Sequence, residues 1–395
     1  MINLAILSVL FSICALNRPL IYLISIIIIT IMDSSFLNII GYSVISAAVG
    51  ISAIFGYVYY LFKENANNFT TFVFLGCSIF YLYGVIRALD QSAYVIDILF
   101  SSGHFIAIFI IPYLLISRKK IQPQHLVNLV LAVSIAIAFF SVLAILGFNL
   151  LNLPIRSSIL GIFGIQVPFV TLLGLGFVVL LNDENIKYRS GLILLLALAV
   201  LIQGHSSVTI AVIITLIVKY LHLLNLYRLF SKTFFNFVAF SFFFLLMINL
   251  NEIHSFLAVY FDEFQARDNQ NLFRLNALEQ NDFGMGFVPS NTDVQQRILS
   301  YSLSAFDRTL FTVDGGYINL GVLFGPYIAA TYLFFTHYII TNEINPNTQK
   351  DFLIIYLLAL FGVNFTLSVH SYMFGFLTIG IGLCILKNFD LKHES

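Results

Sequence analysis

Residues 126–148 read LVNLVLAVSIAIAFFSVLAILGF, a run with no acidic or basic side chain. Twenty or so apolar residues in a row are what a helix needs to cross a bilayer, because each residue adds only about 1.5 Å of rise. Similar runs succeed one another along the chain. They cover Leu4–Leu16, Leu20–Met32, Ile39–Phe62, Thr71–Ile86, Ile98–Ile116, Leu126–Phe148, Val167–Leu181, Gly191–Gln203, Val208–Leu224, Phe234–Leu250, Ile318–Ile340, Phe352–Val369 and Met373–Leu386. Several are shorter than a full upright span. The first has no basic residue ahead of it and no small-residue cleavage site, so it does not read as a signal peptide. The expectation is an all-α, polytopic integral membrane protein with about 12–14 transmembrane helices. Residues 1–250 would hold the first ten, 251–317 one long outer loop with short amphipathic helices, and 318–395 the last three spans and an inner tail.

Composition points the same way. Of 395 residues, 59% are hydrophobic and 10% charged, where soluble domains have about 45–50% and 25%. Mean hydropathy is +0.95. A soluble globule cannot hide that much apolar surface, which excludes a soluble enzyme, a disordered chain and a disulfide scaffold. The formal net charge is zero, so no basic field invites nucleic acid. Cys14, Cys77 and Cys384 lie inside apolar runs at spacings that match no metal or redox motif, and read as packing residues.

Basic residues set the orientation. With Arg118-Lys119-Lys120 placed inside and the spans alternating, thirteen Lys and Arg fall inside and six fall outside. All nine lysines are inside. The outer six, Arg87, Arg156, Arg267, Arg274, Arg297 and Arg308, are all arginine. The positive-inside rule treats the two residue types alike, so it does not produce this segregation. Guanidinium offers a planar, permanently charged fork suited to phosphate and carboxylate. One reading is an outward-facing site for a phosphorylated ligand; the other is chance plus ion pairing with nearby acids.

The hydrophilic stretch between Leu250 and Ile318 carries four of those arginines and nine acids. Loops this long are usually functional. Ile253, Phe256, Leu257, Tyr260, Phe261 and Phe264 recur at helical spacing, which predicts a short helix on the membrane surface or capping the bundle. Leu272, Phe273, Leu275 and Leu278 around Arg274 predict a second helical piece. A glycine turn follows at Gly284-Met285-Gly286, and Thr292 can cap a third helix reaching about Phe306. Asp293 and Arg297, four apart, pair readily on a helix surface, which lowers Arg297 as a site candidate.

Other candidates sit near the outer boundary. His205, in the turn Gly204-His205-Ser206-Ser207, and His370, before Ser371 and Tyr372, are polar residues at the ends of spans, functional by default at membrane depth but often plain interfacial residues. His104 and His254 map to the same side. Arg87 precedes Asp90 and can simply pair with it. Arg156, after Leu153-Pro154, has no acid close by in sequence and is the better phosphate candidate. No hydrolase triad, metal-ligand cluster or phosphate-binding lysine loop is present.

The layout and the segment from Arg274 to Gly325 resemble the O-antigen polymerase (Wzy) and O-antigen ligase superfamily of membrane glycosyltransferases. Members tend to carry an arginine, a glycine turn some ten residues on, a helical segment, and a polar residue opening the next span, trailed by an aromatic and a glycine. The matching residues are Arg274, Gly284-Met285-Gly286, Asp314, Tyr317 and Gly325. Ligases typically have histidine where Asp314 stands, which tilts the resemblance toward a polymerase. The mid-chain Ser-Arg of such families is replaced by His205-Ser206-Ser207, without the arginine.

The resemblance implies a C-type, membrane-embedded glycosyltransferase that needs no metal or other cofactor. It would extend a polysaccharide, lipopolysaccharide O-antigen or capsule, on the periplasmic face of a bacterial inner membrane. The growing glycan on undecaprenyl diphosphate would be transferred to a lipid-linked repeat unit. Membrane lipids, a chain-length regulator and a flippase are the partners implied. Asp314 and His205 would act as base or orienter, Arg274, Arg156, Arg87 and Arg308 would hold the diphosphate, and Tyr317, Gly284, Gly286 and His370 would position substrate. Two rivals stand beside it. One is a ligase of the same layout, separated by its acceptor lipid. The other is a flippase or secondary transporter, which usually shows paired repeats and midplane broken helices; no clear repeat is seen.

The orientation has a direct test. A single cysteine at Asn291, in a chain otherwise free of cysteine, is expected to react with a membrane-impermeant thiol reagent in intact spheroplasts. Labelling only after lysis would invert the topology.

Overall fold

The computed structural model describes residues 2–33, 42–64, 67–91, 95–148, 155–157, 163–165, 169–182, 188–203, 206–221, 232–260, 274–276, 278–279, 281–287, 316–342, 351–362 and 372–390, with the isolated residues 40, 93 and 186. Each of the thirteen apolar runs has helix in its described part. They are α1 (Ile2–Asn17), α2 (Pro19–Met32), α3 (Tyr42–Lys63), α4 (Asn68–Asp90), α5 (Val95–Ser101), α6 (Ile110–Ser117), α7 (Pro123–Ile145), α8 (Val170–Asn182), α9 (Arg189–Gln203), α10 (Ser206–Tyr220), α11 (Lys232–Ile248), α12 (Leu250–Tyr260), α13 (Gly316–Asn342), α14 (Asp351–Gly362) and α15 (Met373–Asp390). The run Ile98–Ile116 is not one helix. It breaks after α5 and resumes through a 3₁₀ turn, Ile106–Phe109, before α6. A feature absent from the sequence expectation is a short antiparallel hairpin of β1 (Ile155–Ser157) and β2 (Phe163–Ile165), with Arg156 opposite Gly164.

Among the described residues, four helices are long and apolar enough to cross a membrane: Ser43–Lys63, Asn68–Asp90, Pro123–Ile145 and Gly316–Asn342. The pair Thr233–Ile248 and Leu250–Val259, bent by 75°, makes up to five, and seven shorter apolar helices accompany them. Large apolar side chains face outward on the peripheral helices, among them Leu75, Ile79, Leu82 and Ile86 on α4 and Phe237, Phe242 and Leu245 on α11. Soluble monomers rarely expose such contiguous apolar surface. A chain whose described elements are helical apart from that one strand pair, with this surface, is compatible with a multi-pass membrane protein.

The interior is built from helices that are apolar all round. Every residue of α6 and every residue of α8 from Val170 to Leu181 is buried. Small residues let their neighbours come close, as is usual where helices pack without water to drive them together. A Cβ on Gly176 would meet the Ser134 side chain, and one on Gly174 would meet the Tyr356 ring. Polar side chains bridge helices by donating to backbone carbonyls: Tyr22 Oη to Val49 at 2.8 Å, Tyr113 Oη to Ala15 at 2.9 Å, Ser134 Oγ to Leu172 at 3.0 Å and Tyr356 Oη to Thr171 at 2.8 Å. Cys77 and Cys384 are buried and all three cysteines are free thiols.

Ser134 meets Leu172, and Gly176 lies against Val130, so α8 runs antiparallel to α7. Its C-terminal carbonyls therefore come to the end where α7 starts. Cations cap them: Arg189 donates to Leu180 (2.8 Å) and Leu181 (2.9 Å), and Lys219 to Leu181 (2.7 Å). Positive groups suit a helix C-terminus, whose last carbonyls lack partners and carry the negative end of the dipole. Lys120 and Glu64 approach to 3.5 Å nearby in sequence from the start of α7. Residues assigned by alternation to the inner side thus gather at one end of the bundle, the Lys120 end.

Candidate functional site

At the opposite end, near Arg87, the long loop does not stay outside the bundle. Residues 281–287 re-enter it and dock between α4 and α13. The cause lies in α13, where Gly325-Pro326 interrupts the helix: Gly325 has φ 73°, ψ 163°. Pro326 has no N–H to offer the carbonyl four residues back, at Val322. The break at Gly325 frees the next carbonyl, Leu323. The turn supplies what is missing, with Met285 N–H donating to Val322 (2.7 Å) and Gly286 N–H to Leu323 (2.9 Å). Phe287 N–H reaches across to Gly84 of α4 at 3.1 Å. A Gly-Pro pair within an apolar run is the sequence signal that announces such a break.

Glycine is required where these segments touch. Gly284 and Gly286 both have φ 71°, a left-handed conformation costly to other residues. A Cβ on Gly286 would strike the Gly84 carbonyl and the Ala88 amide, and one on Gly284 would strike the backbone of Leu323–Gly325. Met285 and Phe287 are then fully enclosed.

The carbonyls of the turn are taken by side chains. Tyr83 Oη donates to Phe283 (2.7 Å) and Ser101 Oγ to Phe287 (2.7 Å). Arg87 gives Gly284 two hydrogen bonds, from Nε (3.2 Å) and Nη2 (3.1 Å), while its Nη1 pairs with Asp90 at 2.8 Å. The Arg87–Asp90 pair anticipated from their spacing is therefore present, and the same guanidinium is also bound to the turn. The α5–α6 break joins the other two. Phe105 centres on an aromatic cluster with Phe287 (5.4 Å), Phe324 (5.3 Å), Tyr332 (5.6 Å) and Phe376 (5.7 Å). Three interruptions of regular helix thus meet in one protein-enclosed place, the condition under which irregular backbone is tolerated at membrane depth.

Arg274 lies just upstream, in the short helical piece 274–276, and is 1% exposed. Leu278 and Leu250 both pack on Gly321, and Met285 reaches the neighbouring Val322. Arg274, four residues before Leu278, is as fully buried as the apolar core. A guanidinium in such a place demands polar company, because burying an unpaired charge is prohibitive. α12 turns away from α11 at 75°. It buries His254 (3% exposed), while of the predicted stripe Phe256 is exposed and Ile253 and Leu257 are half-buried. Asn251 donates to Glu279, tying α12 to the chain after Arg274. Tyr317 is buried and its Oη donates to Phe361 at 2.6 Å, joining the first turn of α13 to the last of α14.

The remaining sequence candidates divide as follows. The backbone of Arg156 is in β1, and its side chain lies outside the described residues. His205, Asp314, Arg308 and His370 also lie outside them, as do the helix expected after Thr292 and Arg297. Gly316, two residues after Asp314, opens α13. Among the described residues no group of three or more His, Cys, Asp or Glu is arranged to hold a metal ion. No protein family, curated protein or solved structure matches the chain.

The enclosed glycine turn yields a stability prediction. Gly286→Ala adds a Cβ at positive φ and against the Gly84 carbonyl, and is expected to cost about 2–5 kcal/mol. Gly191→Ala, on α9 with open space around it, is expected to be neutral or slightly stabilising. Thermal unfolding in detergent measures both; equal melting temperatures would mean that the turn does not contribute to the fold.

Proposed function

We propose that this chain is a bacterial polysaccharide repeat-unit polymerase of the inner membrane. It would move a growing glycan from undecaprenyl diphosphate to a lipid-linked repeat unit on the periplasmic face. The observation that carries the reading is Arg274. Its side chain is 1% exposed, seven residues before the re-entrant turn 281–287, in the same segment of resemblance as Asp314. In sequence Arg274 and Asp314 are forty residues apart; the docking of 281–287 on α13, the helix that opens two residues after Asp314, supports bringing the two segments together.

The chemistry asks for little beyond these groups. In transfer, the bond between the donor's anomeric carbon and the diphosphate oxygen breaks, and the acceptor hydroxyl oxygen forms a bond to that carbon. The hydroxyl proton leaves to a base, for which Asp314 and His205 are the candidates. Negative charge grows on the departing diphosphate. Arginine in a partly dry site stabilises it by a term worth several kcal/mol, with Arg274 leading and Arg156 and Arg308 as further cations. Tyr317 has its hydroxyl committed to Phe361 and would act by fixing the start of α13. Gly284 and Gly286 would act by letting the turn dock, and His370 would face the substrate from the turn before α15.

The test is glycan length on gels from cells lacking their own polymerase and carrying this chain or its variants. Wild type is expected to give long ladders. Arg274→Ala should give single repeats at normal protein abundance, and Arg274→Lys a small residue of polymer at most, because lysine lacks the planar fork. Transfer of single repeats or finished glycan to a lipid A core without ladders would make the chain a ligase.

Asp314 separates catalysis from capping. Asn and Ser cap helices as well as Asp does, so Asp314→Asn and Asp314→Ser would be silent if capping were its whole role. Both are expected to lose most polymerisation while the protein still accumulates; long ladders in Asp314→Asn cells would end the catalytic assignment.

A further inference from the structure

We propose that Arg87 is a positioning residue, a latch that holds the re-entrant turn 281–287 in the bundle and through it keeps Arg274 in its buried place, rather than a ligand of the substrate's phosphates. The activity arm of this proposal rests on the polymerase reading; the latch itself does not.

The argument follows the guanidinium's donors. Nε and Nη2 converge on one acceptor, the Gly284 carbonyl, and Nη1 is spent on Asp90. A planar fork delivering two parallel N–H groups to one oxygen is geometry that lysine cannot copy. The acceptor needs this service. Gly284 stands at positive φ, and the N–H groups after it, on Met285 and Gly286, point to Val322 and Leu323 of α13. One turn of chain therefore donates to α13 and Gly84 with its amides, and accepts from Tyr83, Arg87 and Ser101 with its carbonyls. Arg87 is the charged member of that set, and charged donors make the stronger bonds.

The latch also lies at the rim of the bundle. Phe283 is 63% exposed, with the Arg87 guanidinium 6.0 Å from its ring centre, beside the outward-facing Leu82, Ile86 and Leu89 of α4. A turn at the rim, made of glycines and held by side chains, opens more readily than one at the centre. Ten residues of chain separate Gly284 from Arg274, so release of the turn would loosen the segment that seats the buried arginine. If Arg87 turned to a phosphate instead, it would leave the Gly284 carbonyl at apolar depth without these two bonds, a costly exchange.

The experiment reads the turn directly. Met285→Cys, in a chain whose Cys14, Cys77 and Cys384 are replaced by alanine, puts a thiol at a fully buried position. Its reaction with N-ethylmaleimide in native membranes is measured with Arg87, Arg87→Lys and Arg87→Ala. Loss of the charged hydrogen bonds is expected to raise the labelling rate by about tenfold or more in Arg87→Ala, with a smaller rise in Arg87→Lys. A second chain keeps only Cys384, buried on α15, and should stay protected in Arg87→Ala, which separates local release from general unfolding. In the ladder assay Arg87→Lys should retain clearly more polymer than Arg274→Lys. Unchanged protection of position 285 in Arg87→Ala overturns the latch, and so does labelling of positions 285 and 384 together. Where Arg87→Ala does not accumulate, the Arg87→Lys rate decides. Absence of ladders from the wild-type chain, with position 285 released as expected, would sink the polymerase reading and leave the latch standing.

Discussion

Pro326 removes one N–H from the middle of an apolar helix, and much of the Arg87 end of this molecule answers that removal. In an apolar surround a carbonyl without a donor costs several kcal/mol. Val322 and Leu323 lose their helical donors together, and water is not there to replace them. The chain meets the deficit with Met285 and Gly286, brought in from a segment that hydropathy alone assigns to solvent. Bringing them in creates a second deficit, the carbonyls of the incoming turn, and Tyr83, Arg87 and Ser101 meet that one. Tyr83, Arg87 and Ser101, at the Arg87 end of α4 and on α5, are therefore committed first to this exchange.

Polar satisfaction thus fixes the relative position of α4, α5 and α13 more tightly than apolar packing can. Aromatic contacts around Phe105 are worth about 0.5–1.5 kcal/mol each beyond burial and tolerate sliding. A set of backbone hydrogen bonds at 2.7–3.1 Å does not. The glycines follow from the same closeness: at Gly286 and Gly84 two backbones run against one another with no room for a side chain.

Most of the helices are legible because they are written as apolar runs, and the described parts of those runs are largely helical. Ile98–Ile116 was misread as one helix because hydropathy is blind to a turn whose residues, such as Gly103 and Phe105, are themselves apolar. The hairpin around Arg156 was illegible because it is three residues a side and needs the walls of α7 and α9 to form. Arg274 stood out by its company of leucines and proved deeply buried, whereas the guanidinium of Arg87, equally visible in sequence, is bound to a carbonyl 197 positions away. Residue type announced a strong donor in both cases. Only the fold distinguishes the acceptor, since no spacing rule connects Arg87 to Gly284.

The unequal lengths of α7 and α8 carry an electrical consequence. α7 has 23 residues and α8 has 13, a difference of roughly 15 Å along the axis. With Gly176 beside Val130 and Ser134, α8 ends near the start of α7, so most of the shortfall lies at the other end, where the chain leaves α7, pairs β1 with β2 and only then enters α8. In a membrane, the dielectric barrier would be thinner over α8 than beside it. A transmembrane voltage drops across whatever insulates, so the field would steepen through those few turns of helix. A charged group placed at that end would stand electrically closer to the far side than its distance from the bilayer surface implies.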